Sequence, residues 1–237
     1  MPSSSWGEWP KSPERKCWRP TPNDPPPTSH YWVPFERALL DTMVTCDASV
    51  AARFLEQIRG SPPQRRMIVG LDTGWKKLDG GNFMTALLQL CVGSRVLVFQ
   101  VLYATGGDLP AVLKSFLTEE EHIFTGAHIG NDVYQLQDDF GITISHPVDL
   151  QLAVPEADPS YEYLGGPHPV YKVRHLSLEK IASEVLRLPR LSKPVADHDT
   201  WDACYLRPSQ VEYAAVDAYL SYEIANQLEI RHGYRFI

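Results

Sequence analysis

Apolar positions along the chain alternate between strand-like and helix-like periods, and the alternation predicts the elements. The β-branched content from Ala38 to Cys46 predicts a strand. Asp47 then caps an amphipathic helix, ASVAARFLEQI, whose Val50, Phe54 and Ile58 share one face, and Gly60-Ser61-Pro62-Pro63 ends it. Met67 to Trp75 and Ala86 to Cys91 read as adjoining strands joined by a glycine turn, and Arg95 to Leu102 adds a third, continuously apolar one. Leu109 to Leu117 is predicted helical and Ile123 to Ala127 a short strand. Asp132 to Phe140 is a helix that turns Val133, Leu136 and Phe140 inward. Residues 154 to 170, VPEADPSYEYLGGPHPV, are dense in Pro, Gly and Tyr and predict a long irregular loop. Ser177 to Leu186 forms a helix with Leu178, Ile181 and Val185 on one side, and Pro208 to Ile230 a longer one that opens on proline. Strands followed by mixed elements and terminal helices indicate an α/β domain built on one sheet.

Composition bounds this picture. The chain has 237 residues and 43% hydrophobic content, enough for one sizeable core. Residues 1 to about 30 carry many of the prolines and too little apolar surface to order themselves, so they read as a flexible tail before a single domain at 31–237. Trp6, Trp9 and Trp18 are unusual for a pure linker and fit either a sticky solvated tail, the simpler reading, or one that docks on the domain or a partner. The formal net charge of -7 supplies no global positive field for a phosphate backbone, which argues against tight non-specific nucleic-acid binding. A metal-dependent nuclease stays possible, because bound cations reverse the local sign of a carboxylate cluster. Cys17, Cys46, Cys91 and Cys204 lie far apart with no CxxC pair, which argues against a zinc module and gives no disulfide framework. No window has the length of a signal-peptide core or a membrane span, and a reducing intracellular setting, nucleus or cytoplasm, is expected. Gln64-Arg65-Arg66 is too short to be a nuclear address.

Three aspartates stand out. Asp72 ends the apolar run Met67-Ile68-Val69-Gly70-Leu71, where a charge is costly unless paired or metal-bound. Asp132 opens a helix after Gly130-Asn131, a place where the helix dipole alone would also favour a carboxylate. Asp217 lies inside the apolar helix VEYAAVDAYL with Tyr213 four residues before it on the same face. Either a catalytic pair or a plain buried Tyr-Asp hydrogen bond fits that spacing. Asp197-His198-Asp199 reads as a polar turn, Trp75 as core or wall packing, and His128 and His175 as surface or capping positions. Asp138 and Asp139 are expected to face solvent, while Asp47 and Glu56 belong to another element.

In this order the segments VGLDTGW with ALLQLCVGSRVLVFQ, TGAHIGNDVYQLQDDFGI, and WDACYLRPSQVEYAAVDAYLSYEI resemble the three blocks of the Werner-type 3'-5' exonucleases, plant members above all. The likeness spans roughly Leu40 to Leu228. It implies a ribonuclease H-like fold, a mixed central sheet flanked by helices. It also implies that Asp72, Asp132 and Asp217 bind Mg2+ or Mn2+ and that Tyr213, the mark of the tyrosine-bearing branch, positions the attacking water. Family chemistry is two-metal hydrolysis: one ion makes a hydroxide from water near neutral pH and the other steadies the leaving 3' oxygen.

One position departs from that pattern. The family glutamate, two residues after Asp72 on the same strand face, is Gly74 here. Losing such a ligand costs on the order of thousandfold in rate. Asp79, the nearest downstream acid, sits in the turn Leu78-Asp79-Gly80-Gly81 and should be solvated. The resemblance therefore implies either a weakened exonuclease acting on DNA or RNA 3' ends, or an inactive pseudo-exonuclease that binds nucleic acid or protein. Protein partners would use the tail or the 154–170 loop.

Overall fold

The computed structural model describes residues 28–64, 66–165 and 176–236. The tail at 1–27, His175 and the last part of the 154–170 segment lie outside them. Strands β1 (Ser29–Phe35), β2 (Ala38–Thr45), β3 (Ile68–Lys77), β4 (Phe83–Val92), β5 (Arg95–Gln100), β6 (Ile123–Gly126) and β7 (Pro147–Asp149) form one sheet in the order β1-β2-β5-β4-β3-β6-β7. The β1–β2, β5–β4 and β4–β3 pairs are antiparallel, and β2–β5, β3–β6 and β6–β7 are parallel. Helices α1 (Ala48–Arg59), α2 (Ala111–Leu117), α3 (Ile129–Phe140), α4 (Leu150–Ala157), α5 (Leu178–Val185) and α6 (Pro208–His232) flank it. This is the mixed α/β architecture that the resemblance implies.

Two apolar clusters, one on each face of the sheet, hold the layers together. Val69, Leu71, Leu88, Leu90, Leu97 and Phe99 pack with residues of α1, α2 and α3. Ile68, Leu87, Cys91, Val96 and Val98 pack with α4, α5 and α6. Successive β3 side chains therefore serve opposite faces, as the two-residue period of a strand requires.

The local signals act as expected at several ends. The Asp47 carboxylate accepts from the Ser49 amide at 2.7 Å to start α1, whose Val50, Phe54 and Ile58 are buried. Ser177 caps α5 through the Lys180 amide at 3.2 Å. Pro208 begins α6, and Gly233, at φ +63, ends it in the left-handed conformation that suits glycine.

Four parts of the chain differ from the sequence reading. β1 and β7 had no signal, because β1 contains Pro34 and β7 is only three residues long. The third strand stops at Gln100 and passes into a 3-10 turn, Val101–Tyr103. Residues 154 to 164 are not irregular: they complete α4 and form a 3-10 helix, Pro159–Leu164, that Asp158 caps and that buries Tyr161 and Leu164. His232 ties this segment to α6 by pairing with Asp158 at 2.8 Å.

One contact positions the site. A Cβ on Gly70 would lie 2.0 Å from the Ala218 carbonyl oxygen and 2.6 Å from the Tyr222 nitrogen. The backbone of α6 thus rests directly on β3. Only glycine allows that approach, and it brings the segment bearing Asp217 against the strand bearing Asp72.

Candidate active site

Asp72, Asp132 and Asp217 come from β3, α3 and α6, and the charges of Asp132 and Asp217 act on Asp72. Asp72 is held well above the ordinary carboxylate range, first by burial and then by the charges of Asp132 and Asp217. Asp132 stands in the first turn of α3, is 6% exposed, and is pushed up to about 7 by burial. Asp217, likewise 6% exposed, is raised by burial even though Lys193 and Tyr213 favour its charged form. Burial, first, and the neighbouring Asp217 carboxylate push the Tyr213 hydroxyl well up, so it remains protonated.

Each side of β3 supplies different support. On the α3 side the Thr73 hydroxyl donates to Asp132 Oδ1 and itself accepts from the Trp75 indole Nε1 at 2.6 Å. Trp75 is thus wall material with a polar duty, its ring 6.0 Å from that of Phe83. His128, which precedes α3 in the left-handed conformation at φ +58, binds Gln151 through Nε2 at 2.8 Å. Its amide donates to Asp149 at 3.2 Å, and Asp149's charge adds to the upward push on Asp132.

On the α6 side the Lys193 ammonium forms an ion pair with Asp217 Oδ1. It also lies 3.3 Å from Tyr213 Oη and 4.5 Å from the centre of that ring. Gly74 is buried beneath Trp201: a Cβ there would meet Trp201 Cγ at 3.1 Å and Leu87 Cβ at 3.3 Å. Trp201 is 5% exposed and its loop is pinned. Gln210 Nε2 donates to the Thr200 carbonyl at 3.1 Å, Gln100 Nε2 to the Ala203 carbonyl at 3.0 Å, and Tyr103 to the Asp202 carbonyl at 2.6 Å. The place that a side chain at 74 would take is filled by an indole that has little freedom to leave.

The secondary candidates separate clearly. Asp197-His198-Asp199 is a turn: Asp197 caps the 3-10 helix His198–Thr200 by accepting from the Asp199 amide at 3.1 Å. His198 nevertheless reaches the site, its ring edge-on to Tyr213 at 4.9 Å. Asp79 is exposed at the β3–β4 turn, as expected. Asp139 corrects its expectation: it is half-buried and accepts from the Thr85 amide at 2.7 Å, while Asp138 is exposed. Lys193 lies outside the three resembling blocks, whereas Thr73 and Trp201 lie within them without a chemical signal of their own, and the fold brings them to the carboxylates.

The carboxylates suit a cation, because burial raises the proton affinity of all three and the charges of Asp132 and Asp217 raise that of Asp72 further, a state that positive charge relieves. They do not offer a ready-made cage. Among the described residues no three His, Cys, Asp or Glu side chains are grouped to hold a metal ion. Asp132 is engaged by Thr73 and Asp217 by Lys193, and Gly74 gives no donor.

Comparison with known proteins agrees with this geometry. The sequence profile of the 3'-5' exonuclease domain matches residues 42–231. Human exonuclease 3'-5' domain-containing protein 2 is 26% identical over 189 residues, 78% of this chain and 29% of its own length. An Arabidopsis thaliana 3'-5' exonuclease is 24% identical over 68% of this chain and 52% of its own. The chain thus spans about half or less of these curated relatives. Among solved structures, Escherichia coli RNase D superposes with a TM-score of 0.61 at 19% identity, covering 82% of this chain and 46% of that one. The Aedes aegypti Nibbler EXO domain gives 0.60 at 19% identity over 79% and 86%, and Brucella melitensis NrnC bound to pGG gives 0.53 at 23% over 70% and 74%. These likenesses show the fold.

Proposed function

Because this chain belongs to the 3'-5' exonuclease domain family, we propose that its carboxylate cleft receives the 3' end of a DNA or RNA strand and that hydrolysis there is strongly impaired. We read it as a Werner-type, tyrosine-bearing member whose first motif has lost its glutamate. The observation that carries this reading is Trp201 packed on Gly74: the ligand is missing and its place is taken. Asp72 and Asp132, and Asp217 once released from Lys193, would hold Mg2+ or Mn2+. A bound ion would supply charge neutralisation at the scissile phosphate and a hydroxide near neutral pH. The chain's own contribution is orientation. Thr73 fixes Asp132, Gly70 seats α6, and the protonated Tyr213 hydroxyl offers a hydrogen bond at the point where a water would stand.

A fully inactive 3'-end-binding module is the second reading. The Lys193–Asp217 pair favours it, since that carboxylate is already neutralised without a metal.

Mononucleotide release from a 3'-labelled single strand and a recessed duplex, in Mg2+ and in Mn2+, tests the proposal. The variants to compare with the native protein are Gly74→Glu, Gly74→Glu with Trp201→Ala, and Asp217→Ala. Native turnover should fall on the order of thousandfold below that of the best glutamate-bearing variant. Native digestion as fast as that variant's, abolished by Asp217→Ala, would show that the glycine site is competent and the impairment is not real.

A further inference from the structure

We infer that the Lys193 ammonium is the resident cation of this cleft, and that a divalent ion gains Asp217 only by displacing it. The inference rests on reading the cleft as the family's site and adds what controls its occupancy. Lys193 stands in the loop between α5 and α6, yet its ammonium reaches inward to Asp217 Oδ1, with the two side chains only 14% and 9% exposed. It lies over the Tyr213 ring and within 3.3 Å of the Tyr213 hydroxyl. Its charge also acts on Asp72 across the cleft, where it opposes the mutual repulsion of the aspartates.

A strongly hydrated point charge does not stay in so enclosed a place unless acceptors replace its water. Asp217 and the face and hydroxyl of Tyr213 are such acceptors. The reverse also holds: Asp217, 6% exposed among two other acids, needs a positive neighbour. With no carboxylate at position 74 the cluster carries one negative charge fewer. A single ammonium then neutralises the α6 end and leaves Asp72 and Asp132 as a weaker pair of donors. Divalent binding becomes an exchange in which the ion must offset the loss of the Lys193–Asp217 pair.

The test is Mn2+ binding to the full chain, read by the paramagnetic signal of free Mn2+ and by the thermal midpoint, for native protein, Lys193→Met and Lys193→Arg. Lys193→Met should melt lower in chelator, recover on adding Mn2+, and bind Mn2+ on the order of tenfold more tightly than native. Lys193→Arg should resemble native, and Asp217→Asn in the Lys193→Met background should remove the gain. A Lys193→Met protein that binds Mn2+ no more tightly, or melts lower with no recovery in Mn2+, overturns the inference. If Lys193→Met does not fold, Lys193→Gln carries the same comparison. On the native protein alone, Mn2+ should expose the Lys193 amine to acylation; unchanged labelling at saturating Mn2+ overturns the inference as well. Fast strand digestion by the native protein would sink the impaired-hydrolysis reading instead, and the Mn2+ comparison would still be decided on its own result.

Discussion

The two faces of β3 hold their carboxylates by different means. On the α3 face Asp132 is fixed by neutral donors, the Thr73 hydroxyl backed by the Trp75 indole, and burial keeps its proton affinity high. On the α6 face Asp217 is countered by a full charge, Lys193, beside a glycine whose space an indole fills. Neutral hydrogen bonds orient a carboxylate while leaving it hungry for a cation. An ion pair offsets part of that demand. The two faces therefore differ in kind: one carboxylate is oriented by neutral groups and the other is partly countered by an ammonium, while burial still raises both.

The largest effect should come from the contact that joins the two halves. Gly70→Val forces a side chain into the Ala218 carbonyl and the Tyr222 backbone, neither of which can rotate away. We expect a loss of about 3 kcal/mol or more, a large fraction of the stability of an ordinary domain, as denaturant unfolding would measure. A variant that unfolds at the native midpoint would mean that α6 can lift off β3 at no cost.

Next is the pH dependence of the metal-free protein. Asp132 is raised in the folded state to about 7, so the folded chain binds its proton more tightly than the unfolded chain does. Its contribution is therefore present at acid pH and is lost as pH climbs from the ordinary carboxylate range through about 7. Between pH 5 and pH 8 in chelator, stability should fall by roughly 2 to 4 kcal/mol, and Asp132→Asn should flatten much of that slope. Asp72 and Asp217 are raised too and act in the same sense, leaving a residual slope. Stability that rises over this interval would contradict the burial of the cluster.

A smaller effect isolates the α6 face. Gly74→Ala places a methyl 3.1 Å from Trp201 Cγ and should cost roughly 1 to 2 kcal/mol. Trp201→Ala costs more by itself, yet in its background the Gly74→Ala penalty should shrink to what the Leu87 contact leaves. That non-additivity, measured by a double-mutant cycle, is the signature of one shared space. Additive penalties would show that the indole does not restrict position 74.

How much of this was legible before the fold was known depended on range. Asp47 with its helix, the apolar run into Asp72 and the Tyr213-Asp217 spacing are local signals, and each became the element expected. The convergence of Asp72, Asp132 and Asp217 is an expectation from resemblance, and in the structure the charges of Asp132 and Asp217 act on Asp72. β1 and β7 were illegible because short pieces with a proline or three residues have no period to read. Lys193 and Trp201 were illegible for another reason. They sit in a loop without periodicity, and their contacts reach from Trp201 to Gly74 and from Lys193 to Asp217 across the fold. The absence of a glutamate at 74 could be read from one letter; what replaced it could not.

The smallest effect sharpens the α3 face. Thr73→Val keeps the shape of the side chain but removes the hydroxyl that accepts from Trp75 and donates to Asp132. Two buried polar groups lose a partner, so stability should fall by about 1 to 2 kcal/mol. Burial raises Asp132 and the Thr73 bond opposes it, so removing that bond should move the carboxylate's proton affinity further up. The pH at which the metal-free protein loses the Asp132 contribution must then shift upward, visible as a displaced break in the stability profile. Gly74→Ala, on the opposite face, should lower stability without moving that break. If Thr73→Val weakens the protein evenly at every pH, the hydroxyl is packing material, and the distinction between a face that orients its acid and a face that neutralises it does not hold.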